Sequence, residues 1–191
     1  RHKNQDFNVF YEELNSQVPA IKLIKQGTLE QIKGVVNVSK ELAEKEVGER
    51  IKKTAEVKLK KYEVPVNIRV DYAESLSVGG EVLLWGMFSE EGKINSDNPV
   101  ILGSDVLIEK GKSSEQIGSE VAERLIKEID SKAAVDYNLA DQLISIMALL
   151  PNSEIKVSKI SDHTKTNFYV CEQFLPIGFK IEGDVISVER K

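Results

Sequence analysis

Three features of this 191-residue sequence predict a mixed α/β (α+β) fold. Short β-branched runs bounded by Gly and Pro alternate with segments of helical period along most of the chain. Residues 36–132 hold a helix, strands and a second helix by themselves, enough for a self-contained small α/β domain. With that stretch set aside, the segments from the strand at Ile32 to the end run strand, helix, strand, helix, strand, strand, one complete βαβαββ repeat. The predicted organisation is therefore a core of residues 1–35 and 133–191, interrupted by an insertion of residues 36–132.

The formal net charge is −5, from 31 acidic and 26 basic residues. Without a long basic run, any nucleic-acid contact must come from local Lys and Arg side chains, and a general RNA-coating role is excluded. The single cysteine, Cys171, rules out an internal disulfide framework and a cysteine-rich metal site. It suits a reducing compartment, so a cytoplasmic location is expected. No stretch is apolar enough to span a membrane, and no charged-then-apolar signal opens the chain. The first residue is Arg1 rather than methionine, which agrees with a fragment, a processed product or a trimmed chain.

In order, Phe7 to Glu13 and Ala20 to Lys25 predict two strands of a terminal hairpin, joined by Leu14-Asn15-Ser16-Gln17-Val18-Pro19 and ended by Gly27. His2 reads as a solvent-exposed terminal residue. Ile32 to Val38 is a β-branched strand, after which Ser39 is placed to cap a long helix built on Leu42, Val47, Ile51, Ala55 and Leu59. Lys52, Lys53, Lys58, Lys60 and Lys61 fit that helix's solvated face better than an RNA-backbone contact. Pro65 ends the pattern. Val66 to Tyr72 and Glu81 to Phe88 predict strands on either side of Gly79-Gly80, with Trp85 packed in the sheet in preference to stacking on a base.

Residues 89–98 predict a polar loop, and Val100 to Leu102 a short strand before Gly103. Gly111-Lys112-Ser113 is no phosphate-binding P-loop, because Val106 stands where that motif requires its first glycine. Ser113 and Gln116 instead form a capping box opening a helix with the apolar stripe Ile117, Val121, Leu125 and Ile129. Val135 to Leu150 predicts a buried helix through Leu139, Leu143, Ile144, Met147 and Ala148. Its polar residues Asn138, Asp141, Gln142 and Ser145 share one face, either a water-contacting edge or a hydrogen-bonded site.

Pro151 ends that helix, Glu154 to Ile160 alternates as a strand, and Ile177 to Ile181 with Val185 to Glu189 forms a hairpin around Gly183-Asp184. Between them, Phe168, Cys171, Phe174 and Leu175 recur at helical spacing, and Ser161, Asp162, Thr164 and Thr166 offer caps before them. His163 therefore lies at a helix entrance. The unpaired N–H groups and partial positive charge there attract phosphate and disfavour the imidazolium, leaving a neutral ring available as a nucleophile. By position alone, a surface or capping histidine is the commoner outcome.

The run His163-Thr164-Lys165-Thr166-Asn167 with Val170, Glu172, Phe174 and Leu175 resembles the H-x-x-T-N-x-x-V-x-E-x-F-L signature of the RNA 3′-terminal phosphate cyclase family. Upstream, Ala133-Ala134-Val135-Asp136 and Leu139-Ala140-Asp141-Gln142-Leu143 resemble its A-A-V-D and L-A-D-Q-L segments. The likeness covers most of the chain and is strongest from Ala133 to Phe179. At the other end, His2-Lys3-Asn4-Gln5 departs from the family's Pro-Lys-Gly-Gly-Gly turn.

The resemblance implies the C-terminal portion of a cyclase, with a small α/β domain inserted in its last repeat and the terminal hairpin closing the preceding one. It also implies ATP-dependent conversion of an RNA 3′-terminal phosphate to a 2′,3′-cyclic phosphate through a covalent histidine–AMP intermediate and an adenylylated RNA end. His163 would be the nucleophile, and Asp141, Gln142 and, less centrally, Asn138 would orient the nucleotide. ATP with Mg²⁺ or Mn²⁺ would be required, although the sequence singles out no metal ligand. The expected partners are RNA with a 3′-terminal phosphate and an N-terminal cyclase half, in the same protein or a separate chain. A non-catalytic, cyclase-like ribosome-assembly factor is the alternative, opposed by the presence of His163. A plain interaction module with a structural histidine is the third.

Overall fold

The computed structural model describes residues 18–95 and 99–191. In chain order its elements are β1 (Lys22–Leu23), β2 (Thr28–Ser39), α1 (Val47–Leu59), β3 (Val66–Ala73), β4 (Gly80–Ser89) and β5 (Ile101–Ile108). These are followed by α2 (Ser114–Asp130), α3 (Tyr137–Leu149), β6 (Glu154–Lys156), α4 (Asp162–Phe174), β7 (Ile177–Glu182) and β8 (Val185–Arg190). The mixed α/β class is as the sequence predicts. Two compact units result, one of Gly27–Lys132 and the other of Ala133–Lys191 together with the described residues through Gln26.

In the Gly27–Lys132 unit the sheet order is β3-β2-β4-β5. β2 runs parallel to β3, with α1 in the connection between them, and antiparallel to β4, which pairs antiparallel with β5. A parallel pair cannot be closed by a tight turn, so the intervening helix is a topological requirement. Alternate residues such as Ile32, Val36, Val82, Leu84, Leu102 and Val106 enter the core, where they meet Ile51, Ala55 and Leu59 of α1 and Ile117, Val121, Leu125 and Ile129 of α2. The capping box at Ser113 and Gln116 is formed in both directions.

Several expectations change here. The boundary lies at Gly27 rather than after residue 35, because β2 extends from Thr28 and pairs along its whole length inside this unit. Ser39 does not cap a helix: its hydroxyl donates to the Gly79 carbonyl at 3.0 Å and accepts from the Gly79 N–H at 2.9 Å. A 3₁₀ segment, Lys40–Lys45, comes next, and Glu46 at φ 50° breaks it from α1, so the α-helix starts at Val47. The short strand predicted at Val100 to Leu102 is the start of the eight-residue β5. Trp85 is half-buried on the sheet face opposite Val82, Leu84 and Phe88, outside the core.

Three lysines of α1 and the segment after it bind carboxylates. Lys58 meets Glu123 at 2.7 Å, Lys61 meets Asp130 at 3.0 Å and Lys52 approaches Glu56 at 3.8 Å. Such exposed pairs contribute only about 0–1 kcal/mol each, but they tie these side chains to the protein surface.

Gly118 sets the approach of the two helices. A Cβ there would fall 2.5 Å from the Ile51 carbonyl oxygen and 3.0 Å from Thr54 Cβ. Gly118→Ala gains less than about 1 kcal/mol in helix propensity. Overpacking against backbone costs about 1–3 kcal/mol. The variant is expected to melt below the wild type in a thermal unfolding scan, and an unchanged or higher midpoint would show that the helices can part without cost.

In the other unit the sheet order is β1-β6-β8-β7. β1 pairs parallel with β6 through Lys22–Glu154 and Leu23–Ile155. β6 pairs antiparallel with β8, and β7 and β8 form the predicted hairpin, with Gly183 at φ 64° in its turn. The element order β1-α3-β6-α4-β7-β8 is a βαβαββ repeat. Its first strand is β1, not the predicted Ile32 to Val38, so β1 belongs to this repeat rather than closing a preceding one. The predicted strand from Phe7 to Glu13 lies outside the described residues. Ile144 and Met147 of α3 and Phe168 of α4 pack with Ile155, Ile177, Ile186 and Val188 of the sheet. Leu139, expected in the core, is 38 % exposed, because the buried stripe of α3 runs through Ala140, Ile144, Met147 and Ala148.

Candidate functional site

The local sequence fixes the entrance of α4. Ser161 adopts extended φ/ψ, and its hydroxyl accepts the Thr164 N–H at 2.9 Å, satisfying one of the first-turn donors. His163 is the second helical residue and its side chain is exposed. The N–H groups of Asp162 and His163 have no intrahelical acceptor by the geometry of any α-helix, so they and the helix dipole favour an anion at this end. Asp162 is fully solvated, and its carboxylate is offset by Lys165 at 3.4 Å.

Asp141 of α3 holds that entrance. Its Oδ1 accepts from the Ser161 hydroxyl at 2.7 Å and also from the Thr164 hydroxyl. Thr164 is completely buried. One turn on, the Asn167 side-chain amide donates to the Asp141 carbonyl at 3.1 Å. One residue of α3 is thereby bonded to three residues flanking His163 across successive turns of α4. A charge-assisted hydrogen bond is roughly twice as strong as a neutral one, and burial of Thr164 makes its loss costly.

The rest of the polar stripe divides. Burial pushes the Cys171 thiol of α4 up, and the neighbouring Ser145 hydroxyl opposes the shift. Asn138 and Gln142 are exposed on α3. Asn138 uses its backbone N–H on the Asp136 carboxylate, which accepts it at 3.1 Å and the Leu139 N–H at 2.9 Å. Asp136 is therefore the N-cap of α3, preceded by the buried Ala133, Ala134 and Val135. The stripe is both alternatives at once, with Asp141 bonded to α4 and its cap while Asn138, Gln142 and Ser145 are exposed.

Several residues in and around the signature make structural contacts. Thr166 donates to the Asp162 carbonyl at 2.9 Å. Phe168 stacks on Phe179 with ring centroids 4.6 Å apart. Phe174 is 80 % exposed, contrary to its predicted place in the apolar stripe. At 100° per residue it lies about 120° around α4 from Phe168, whereas Cys171 and Leu175 stay within about 60° of it. Glu172 accepts the Phe179 N–H at 2.8 Å and meets Lys191 Nζ at 3.2 Å.

The Phe179 hydrogen bond, followed by the Lys191 charge, holds the Glu172 carboxyl below its ordinary value. A depressed folded value means that the ionised group stabilises the fold above the unfolded value of 4.5 and loses that contribution as pH falls through the folded one. Glu172→Gln keeps an acceptor for Phe179 and removes the titration. Acid unfolding followed by circular dichroism should show a shallower loss of stability below about pH 4.5 in the variant. Identical pH profiles would show that Glu172 titrates alike in both states.

Among the described residues, no three His, Cys, Asp or Glu side chains converge as a metal site would need. No helix of the described residues is long and apolar enough to cross a membrane.

The family model for RNA 3′-terminal phosphate cyclase matches residues 7–181. Among curated relatives, the RNA 3′-terminal phosphate cyclase of Thermococcus onnurineus is 37% identical over 140 residues, covering 73% of this chain and 38% of that protein. The similarly named protein of Thermococcus kodakarensis is 33% identical over 166 residues, covering 86% of this chain and 45% of that protein. That of Methanosarcina barkeri is 38% identical over 118 residues, covering 62% and 32% respectively. The chain thus spans less than half the length of these relatives.

Proposed function

This chain belongs to the RNA 3′-terminal phosphate cyclase family, and from that premise we propose that it supplies the nucleotidyl-transfer histidine of an ATP-dependent cyclase acting on RNA 3′-terminal phosphates. The observation that carries the reading is the placement of His163, exposed in the first turn of α4 at an entrance held by Asp141, Ser161 and Thr164.

A neutral imidazole nitrogen of His163 attacks the α-phosphorus of ATP. The new N–P bond replaces the bond to the leaving pyrophosphate, giving a histidine–AMP phosphoramidate. The adjacent first-turn N–H groups favour the negative oxygens gathered on that phosphorus. AMP then passes to the RNA 3′-phosphate, forming a P–O–P bond as the N–P bond breaks and restoring the imidazole. The neighbouring 2′-hydroxyl attacks the activated phosphate, loses its proton and expels AMP, closing the 2′,3′-cyclic phosphate.

Gln142, with Asn138 one turn before it, is positioned on the solvent side of α3 to contact the nucleotide, while Asp141 acts by holding the helix entrance. Mg²⁺ or Mn²⁺ would neutralise the triphosphate. Among the described residues, no three His, Cys, Asp or Glu side chains converge as a cage for that ion. The remaining contacts, including those to the RNA, fall to an N-terminal cyclase half. In this reading the β1-α3-β6-α4-β7-β8 unit is the last repeat of the cyclase core and the Gly27–Lys132 unit is its insertion.

The test is product analysis with an RNA ending in a 3′-phosphate, supplied with ATP and Mg²⁺ or Mn²⁺. A 2′,3′-cyclic end, together with AMP and pyrophosphate in equal amounts, is expected. An unaltered 3′-phosphate with the complete cyclase present would sink the reading.

A further inference from the structure

In the Gly27–Lys132 unit both helices pack on one face of the sheet, and the other face is open and patterned. One register row crosses all four strands as Arg69, Val35, Leu83, Asp105: a cation at one edge, two aliphatic residues in the middle and an anion at the far edge. Leu83 is 41% exposed, and the Arg69 side chain is 73% exposed. The adjoining row carries Lys33 on β2 directly beside Trp85 on β4. Both rows contain a cationic half on β3 and β2 and a complementary half on β4 and β5.

We propose that this face is a self-association surface whose occupant is a second copy of the same chain, related by a two-fold axis lying between the sheets and along the strands. That operation lays β3 over β5 and β2 over β4 of the second copy. Arg69 then opposes Asp105, Val35 opposes Leu83, and the Lys33 ammonium opposes the Trp85 ring, each pair occurring twice. Sheets packed face to face keep their strands within about 30°, as this axis requires. An axis across the strands would instead set Arg69 against its own copy, so the charges select the first arrangement.

The same charges disfavour a nucleic acid here. Asp71, Glu81 and Asp105 face the same side as Lys33 and Arg69, and Asp71 already pairs with Arg69 at 2.6 Å. A guanidinium has five donors, enough to serve Asp71 and a second carboxylate. The inference is independent of the reaction proposed for His163.

Sedimentation velocity of the full chain over a concentration series tests it. Wild type should dimerise. Arg69→Glu and Asp105→Arg, measured separately, should each weaken association about tenfold or more, because each sets like charges against each other twice. An equimolar mixture of the two variants should recover dimers. In the mixed pair the carboxylate introduced at position 69 of one copy meets the guanidinium introduced at position 105 of the other, and the native Asp105 and Arg69 meet at the second contact. That recovery also proves both variants folded. A monomeric wild type, single variants that associate like wild type, or a mixture no better than its components would overturn the proposal. Binding of a single-stranded RNA oligonucleotide to a monomeric wild type, lost in Trp85→Ala, would reassign the face to RNA.

Discussion

Replacing His163 with alanine is expected to eliminate the AMP adduct and to lower cyclisation at least about 10³-fold, as removal of a covalent nucleophile does elsewhere. Mass spectrometry after incubation with ATP and a divalent ion reads the first effect, as an acid-labile adduct on the wild-type protein alone. The side chain is exposed at the second position of α4, and the helix is capped by Ser161 without it. Stability should therefore stay within about 0.5 kcal/mol of wild type. This separates loss of chemistry from loss of fold. An adduct that persists in the variant would move the nucleophile to another residue, and a variant with normal cyclisation would remove covalent catalysis by this histidine.

What could be read from the sequence was local. The Ser113–Gln116 box and the stripe from Ile117 to Ile129 are set by neighbours three or four positions apart, so both survive into α2 unchanged. The hairpin at Gly183 is similarly short-range. By contrast, β1 contributes only Lys22 and Leu23, and what makes it a strand is parallel pairing with Glu154 and Ile155, far along the chain. No local pattern reports that partner. Glu46 hides the interruption before α1 because nothing in a glutamate announces a left-handed backbone.

Trp85 departs from its expected place for a different reason. In Val82-Leu83-Leu84-Trp85-Gly86-Met87-Phe88 both alternating sets are apolar, so the period of two is present but its phase is not legible. The structure buries the set containing Gly86, and it leaves Leu83 and Trp85 on the open face. At the site, His163 and the stripe on α3 could be picked out as residues. Their connection could not, because Asp141 meets Ser161 and Thr164 across two helices and an intervening strand. Ser161 was visible as a cap; that its hydroxyl also donates to Asp141 is a tertiary fact.

That connection separates the roles of two neighbours that the sequence had to treat together. Asp141→Ala deprives the Ser161 and Thr164 hydroxyls of their shared acceptor, and Thr164 has no access to water. A loss of about 1.5–3 kcal/mol is expected, the worth of hydrogen bonds to a charged group, with Ser161 Oγ, 3.0 Å away, left to accept the Thr164 hydroxyl. Adduct formation should fall with it as the first turn of α4 loosens around His163. Asp141→Asn retains a side-chain oxygen acceptor and is expected to keep most of the stability and much of the adduct. Gln142→Ala, at an exposed position, should leave the unfolding midpoint unchanged and raise the ATP concentration needed for half-maximal adduct formation. The decisive comparison is Asp141→Asn: full stability with no adduct would mean that the carboxylate acts on the nucleotide itself, whereas parallel recovery of both would place its effect in the geometry of the helix entrance.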